Sequence, residues 1–161
     1  SQVLQRPKQN PKINKLTIGT IDYNDDGLLI ITGKSMIDSK VFIYLDDTFL
    51  GESKADNSRT WALQPKTVIK PGLYTLRADQ VDNNGMVLNR VSIPFARANP
   101  IISSSEIPSI VVQPGNSLWR LATRTYGSGL RYTMIFEANQ DQIKDPDLIY
   151  PGQVFSLPSR E

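Results

Sequence analysis

The chain has 161 residues, 39% hydrophobic and 21% charged, a balance that suits one ordinary domain or two small ones and excludes a disordered chain. It contains no His and no Cys, which excludes disulfides, Cys nucleophiles, His-based acid–base catalysis and the usual zinc sites. The net charge of +2 is the +3 of residues 1–12, where Arg6, Lys8 and Lys12 meet no acid, less Glu106; residues 13–98 hold ten bases and ten acids and residues 109–158 four of each, so no nucleic-acid-binding face is expected.

Residues 1–12 are polar, contain two prolines and read as a linker. The chain does not begin with Met, so a further upstream segment is expected. No apolar run approaches the ~20 residues that span a bilayer.

Residues 13–98 read as strands, from alternation and turn punctuation. Leu16, Ile18 and Ile21 open the set. A turn over Asp22–Gly27 separates them from a run over Leu28–Thr32. Val41, Ile43 and Leu45 alternate with Phe42 and Tyr44. Asp46-Asp47 turns the chain into Thr48–Gly51. Asp56-Asn57-Ser58 precedes Trp61 and Leu63. Tyr74, Leu76 and Ala78 alternate with Thr75, Arg77 and Asp79. Asp82-Asn83-Asn84-Gly85 is a hairpin signal before Val87–Phe95. About seven short strands at this spacing predict an all-β sandwich.

The stretches Val41–Leu63 and Pro71–Gly85 resemble the immunoglobulin-like domains of bacterial envelope proteins. Within them, Pro71-Gly72-Leu73-Tyr74 looks like the start of a strand that carries a tyrosine corner. The core cysteines of antibody domains are missing, so Trp61 and the aliphatic alternation must supply the core.

Residues 99–109, NPIISSSEIPS, read as a second linker. Beyond it the pattern changes. Val111 and Val112 favour a strand, and Pro114-Gly115 ends it. Ser117 is placed to cap a helix whose Leu118, Leu121 and Ala122 form one apolar stripe, with Gly127 suited to close it. Tyr132, Ile135 and Phe136 repeat the spacing in a second helix that ends near Asn139. Ile143 and Leu148 read as core plugs. Pro151-Gly152 leads into a closing strand over Gln153–Leu157, antiparallel to the first.

In order, PGNSLW, FEAN and DPDLIYPGQ resemble the lysin motif (LysM), a βααβ, α+β module that binds N-acetylglucosamine glycans. The resemblance covers residues 110–158. It implies glycan contacts at Gly115, Asn116, Ser117 and Leu118 in a first loop, and at Leu148, Ile149, Tyr150 and Pro151 in a second. The family more often has Asp and Thr where this chain has Asn116 and Ser117. Two such loops side by side would form a shallow groove. Their backbone groups can bind the amide and carbonyl of an N-acetyl group, and an apolar side chain can cover its methyl. Trp119 is a further candidate for sugar stacking, set against plain packing.

Asp22–Gly27 matches half of a calcium loop, but position twelve is Gly33, where a bidentate Glu is needed, so it reads as a turn. Asp145 and Asp147 flank Pro146 and read as a turn rather than a catalytic pair. The chain is therefore expected to be a non-enzymatic, cofactor- and metal-free protein of the bacterial periplasm or cell envelope, with the cytoplasm left open. Peptidoglycan is the expected partner, the sandwich a spacer or protein-interaction domain. Two alternatives stand beside this: a targeting part of a cell-wall hydrolase, and a protein-interaction or regulatory module that binds no glycan. The second follows from a resemblance to small cytoplasmic proteins that pair this motif with another domain, with which a potassium-binding role is associated.

Overall fold

The computed structural model describes residues 15–98 and 108–159. Among these residues it is mostly β-sheet with two short α-helices. The predicted linker over residues 1–12 lies outside the described residues, as does most of the second linker; Ser109 already opens a strand.

Among residues 15–98 the strands are seven: β1 Thr17–Tyr23, β2 Leu29–Lys34, β3 Lys40–Leu45, β4 Thr48–Lys54, β5 Thr60–Leu63, β6 Gly72–Val81 and β7 Val87–Arg97. They form a three-stranded sheet in the order β1-β2-β5 and a four-stranded sheet in the order β4-β3-β6-β7. The alternation in β3 has its expected meaning: Val41, Ile43 and Leu45 are buried, while Phe42 and Tyr44 are only partly covered. In β6 the alternation breaks. Asp79 and Gln80 are both buried, where alternation predicts an exposed Asp79. Arg90 accounts for the difference, since its guanidinium covers and pairs the Asp79 carboxylate at 2.8 and 3.1 Å.

The chain divides into two compact units. The first gathers the described residues up to Thr20 with Ile30–Thr67 and Thr75–Ile93. Its core holds Ile31, Val41, Ile43, Trp61, Leu76 and Ala78, all fully buried. The Trp61 indole N–H, which needs a partner once buried, donates to the Lys34 carbonyl at 3.2 Å.

The second unit gathers Ile21–Leu29, Val68–Tyr74 and the chain from Pro94 onward. Its C-terminal part is β8 Ser109–Val111, α1 Leu118–Tyr126, a 3-10 turn over Gly129–Arg131, α2 Tyr132–Ala138 and β9 Val154–Ser156. β8 and β9 pair antiparallel, with Ile110 opposite Phe155. The apolar stripes of both helices meet in one core of Val112, Leu118, Leu121, Ala122, Tyr126, Ile135, Ile143 and Phe155. Leu148, expected as a second plug beside Ile143, is 54% exposed, because the loop turns its side chain outward after the Asp145 turn.

Candidate functional site

The first loop of the second unit is built by backbone geometry. Gln113-Pro114-Gly115-Asn116 is a turn closed by the Asn116 N–H on the Gln113 carbonyl at 3.0 Å. Gly115 has φ 86°, the positive value that the third position of a type II turn requires and that glycine adopts without strain. The Asn116 side-chain oxygen accepts the Gln113 N–H at 2.8 Å. An Asp here would offer the same acceptor, so Asn116 keeps the loop's shape and adds an amide donor in place of a charge. Ser117 caps α1, its hydroxyl accepting the Arg120 N–H at 3.1 Å. Gly127, in the left-handed region at φ 82°, closes the helix on the Thr123 carbonyl.

The second loop hangs on two side chains. Asp145 accepts the Asp147 N–H at 2.9 Å, and its carbonyl accepts the Leu148 N–H at 2.8 Å, so this carboxylate is spent on a turn. The Gln153 side-chain oxygen accepts the Tyr150 N–H at 2.6 Å. Between these anchors, no hydrogen bond engages the backbone of Ile149 among the described residues.

The two loops border an open groove of about 440 Å³, lined by Asn116, Ser117, Leu118, Trp119, Tyr132, Pro146, Asp147 and Ile149. Of the eight residues expected at the site, Asn116, Ser117, Leu118 and Ile149 line it. Leu118 is 2% exposed, so its side chain serves the core and only its surface borders the groove. Gly115 and Leu148 are exposed beside the groove, and Tyr150 is partly buried outside its lining. Pro151 is buried, with its carbonyl accepting the Ala96 N–H at 2.8 Å.

Tyr132, Pro146 and Asp147 were not among the expected site residues, and Trp119, the further candidate for sugar stacking, lines the groove with them. Trp119 is 52% exposed and lies flat on Gly129: a Cβ there would stand 2.1 Å from its ring. The sequence signal for this is the Ser128-Gly129 pair ten residues after the Trp, which reads as helix spacing until the ring is seen above it.

β1 holds the outer ends of both loops. The Gln113 side chain accepts the Ile21 N–H at 2.8 Å and donates to the Ile21 carbonyl at 2.7 Å, pairing the open edge of β1 as a strand would. The Tyr23 hydroxyl donates to the Gly152 carbonyl at 2.7 Å. Burial pushes the Tyr23 hydroxyl above its ordinary pKa, keeping it a neutral donor.

A capped helix after a type II turn, a second helix and a two-stranded sheet around one small core define a βααβ module with a groove between its loops. Residues 110–158 match the family model of the LysM domain, which places this module, rather than the whole chain, in that family. LysM domains are generally binding modules for peptidoglycan and other N-acetylglucosamine glycans. Among curated proteins, the chain is similar to the Potassium binding protein Kbp of Escherichia coli O6:H1, 45% identical over 47 residues. That match covers 29% of this chain and 32% of the relative, so the chain spans about a third of the length of the protein it matches.

Proposed function

We propose that the chain binds N-acetylglucosamine-containing glycan, peptidoglycan above all, in the groove between Asn116–Trp119 and Asp147–Ile149. The observation that carries this reading is the unengaged Ile149 backbone across from the Asn116 amide, with the half-exposed Trp119 ring beside them. An N-acetyl group presents one acceptor, one donor and a methyl, and these groups answer each of them. No covalent chemistry is needed, in keeping with a LysM domain as a binding module. The protein then acts as a non-catalytic attachment module at the bacterial cell envelope or periplasm, alone or as the targeting part of a hydrolase.

The seven strands would serve as an immunoglobulin-like spacer or protein-interaction domain, residues 13–98, followed by the LysM domain at residues 110–158. In support, they form a three- and a four-stranded sheet, and the Tyr74 hydroxyl returns to the Lys70 carbonyl at 2.7 Å, as a tyrosine corner does. A single groove binds weakly; tethering or several copies would raise the effective concentration.

The test is a titration of the full chain with chitin oligomers, read by amide NMR, together with co-sedimentation on insoluble peptidoglycan. Shifts should centre on residues 116–119 and 147–149. Shifts confined to the strands of the first unit, or no sedimentation above a bovine serum albumin control, would sink the reading. The name of the relative supports a second reading, potassium binding. Calorimetry with potassium against sodium chloride decides it: equal heats for both salts remove it.

A further inference from the structure

The first unit carries a second assembly of aromatic and charged groups, independent of the glycan reading. Pairing registers place it on the side of the four-stranded sheet opposite to Val41, Ile43 and Leu45. Tyr44 stands between Phe49 and Arg77, Phe42 between Glu52 and Asp79, and Lys40 faces Lys54. The rings meet edge to face, Phe42 on Phe49 at 5.8 Å and Tyr44 on Phe49 at 5.5 Å, leaving Phe49 49% exposed.

Two electrostatic mismatches sit on this face. The first is Arg77. Its guanidinium lies 4.1 Å above the Tyr44 ring, and its Nε is 3.4 Å from the Asp79 carboxylate. That carboxylate is already held by both prongs of Arg90. The Arg77 side chain therefore makes no hydrogen bond among the described residues, and its Nε is covered without an acceptor. A stacked, immobilised guanidinium with unused donors is pre-organised for an oxyanion, and with Nε covered an incoming acceptor must use the terminal Nη groups. The second mismatch is the Lys40–Lys54 pair. Like charges directly opposite on neighbouring strands repel, and both side chains are exposed. An anion relieves both.

We propose that this face binds an acidic polypeptide segment of a partner protein. One carboxylate sits on the Nη groups of Arg77, further acids lie toward Lys40 and Lys54, and an apolar side chain packs on Phe42 and Phe49. Charge complementarity sets the direction. Asp46 and Asp47, in the β3–β4 turn, close off the opposite end and repel an acidic ligand there. A nucleic acid fits less well, because Glu52 and Asp79 interrupt the row of cations that a phosphate backbone needs. The edge-to-face rings form a stepped surface that seats a side chain and gives a sugar ring no flat platform.

The experiment titrates the full chain, labelled for NMR, with acetyl-Glu-Phe-Glu-Phe-Glu-amide, its Lys-for-Glu counterpart, and a single-stranded oligonucleotide of equal charge. The Glu peptide should give saturable shifts at Tyr44, Phe49 and Arg77, including the Arg77 side-chain Nε–H. Arg77→Lys keeps the charge and removes the planar fork, and should weaken binding by about tenfold. Should that variant not fold, Lys54→Glu, at an exposed position, should weaken it as well. Equal binding of both peptides, tighter binding of the oligonucleotide, shifts confined to residues 115–118, or unchanged affinity in the substituted chains each overturn the proposal.

Discussion

Three turns of the β-rich part use one device. Asn24, Asp56 and Asp82 each accept, with a single side-chain oxygen, the backbone N–H groups two and four residues later. In two of them the residue three positions on is a glycine at positive φ, Gly27 at 80° and Gly85 at 84°. In the third it is Arg59, at 65°. Arg59→Gly should raise stability by roughly 0.5–1 kcal/mol, the relief of left-handed strain less glycine's added chain entropy, read from the urea midpoint. Backbone N–H groups hold the Asp56 pKa below its ordinary 3.8. This stabilisation is present above that value and lost as pH falls through the folded pKa. Asp56→Asn should therefore flatten part of the acid arm of the stability–pH curve, as Asn24 supplies the same acceptor without a charge. The turns are legible in sequence because Asn, Asp and Gly act locally. Asn139 is different. It reads as a helix end, yet it is buried and its amide bonds both backbone groups of Ser156, at 2.9 and 2.8 Å, and the Ile135 carbonyl at 2.8 Å. Its partner lies 17 residues away, beyond any local pattern. Asn139→Leu should cost about 3 kcal/mol, from stranded Ser156 groups and crowding, measured by thermal unfolding.

At the scale of elements, the groove depends on what its loops rest on. Trp119 projects from the first turn of α1 and is supported by Gly129 in the following 3-10 turn. Removing the ring by Trp119→Ala should leave α1 folded, because its cap and apolar stripe remain, and weaken chitin-oligomer binding by about tenfold if the ring covers sugar C–H faces. Gln113 and Tyr23 work from the other side, tying the outer ends of both loops to β1. Burial raises the pKa of the Tyr23 hydroxyl above its ordinary 10.0 and that of Tyr126 likewise. Stability from these neutral hydroxyls is complete below pH 10.0 and lost as pH rises through the folded pKa values. Tyr23→Phe should lower stability at neutral pH by about 1 kcal/mol and reduce the alkaline loss, as followed by tryptophan fluorescence against pH. The helices and strands themselves were legible, because periodicity, capping residues and Pro-Gly turns all act within a few positions. The supports were not, since Gln113 reads as an ordinary strand end and Tyr23 as part of a polar turn.

Over the whole molecule, charge separates the two proposed surfaces. The glycan groove belongs to a segment with four bases and four acids, and its ligand is neutral at the contact. The sheet face of the first unit sets Arg77, Arg90, Lys40 and Lys54 against Glu52 and Asp79. Raising salt from about 50 to about 500 mM should leave chitin-oligomer affinity within about twofold while weakening the acidic peptide several-fold, as screening of exposed charges demands. Equal salt dependence for both ligands would show that one of the two surfaces has been misassigned. The sequence by itself determined the order of strands and helices, the βααβ segment and its two loops, and the absence of His and Cys chemistry. These follow from local backbone preference and from residue types. Only the tertiary structure decided which loop residues border the groove and which are buried, that Trp119 rests on Gly129, and that Arg90 takes both oxygens of Asp79 and leaves the Arg77 guanidinium without a hydrogen bond. Those outcomes depend on which distant groups arrive to satisfy a buried donor or acceptor, and no local pattern encodes that arrival.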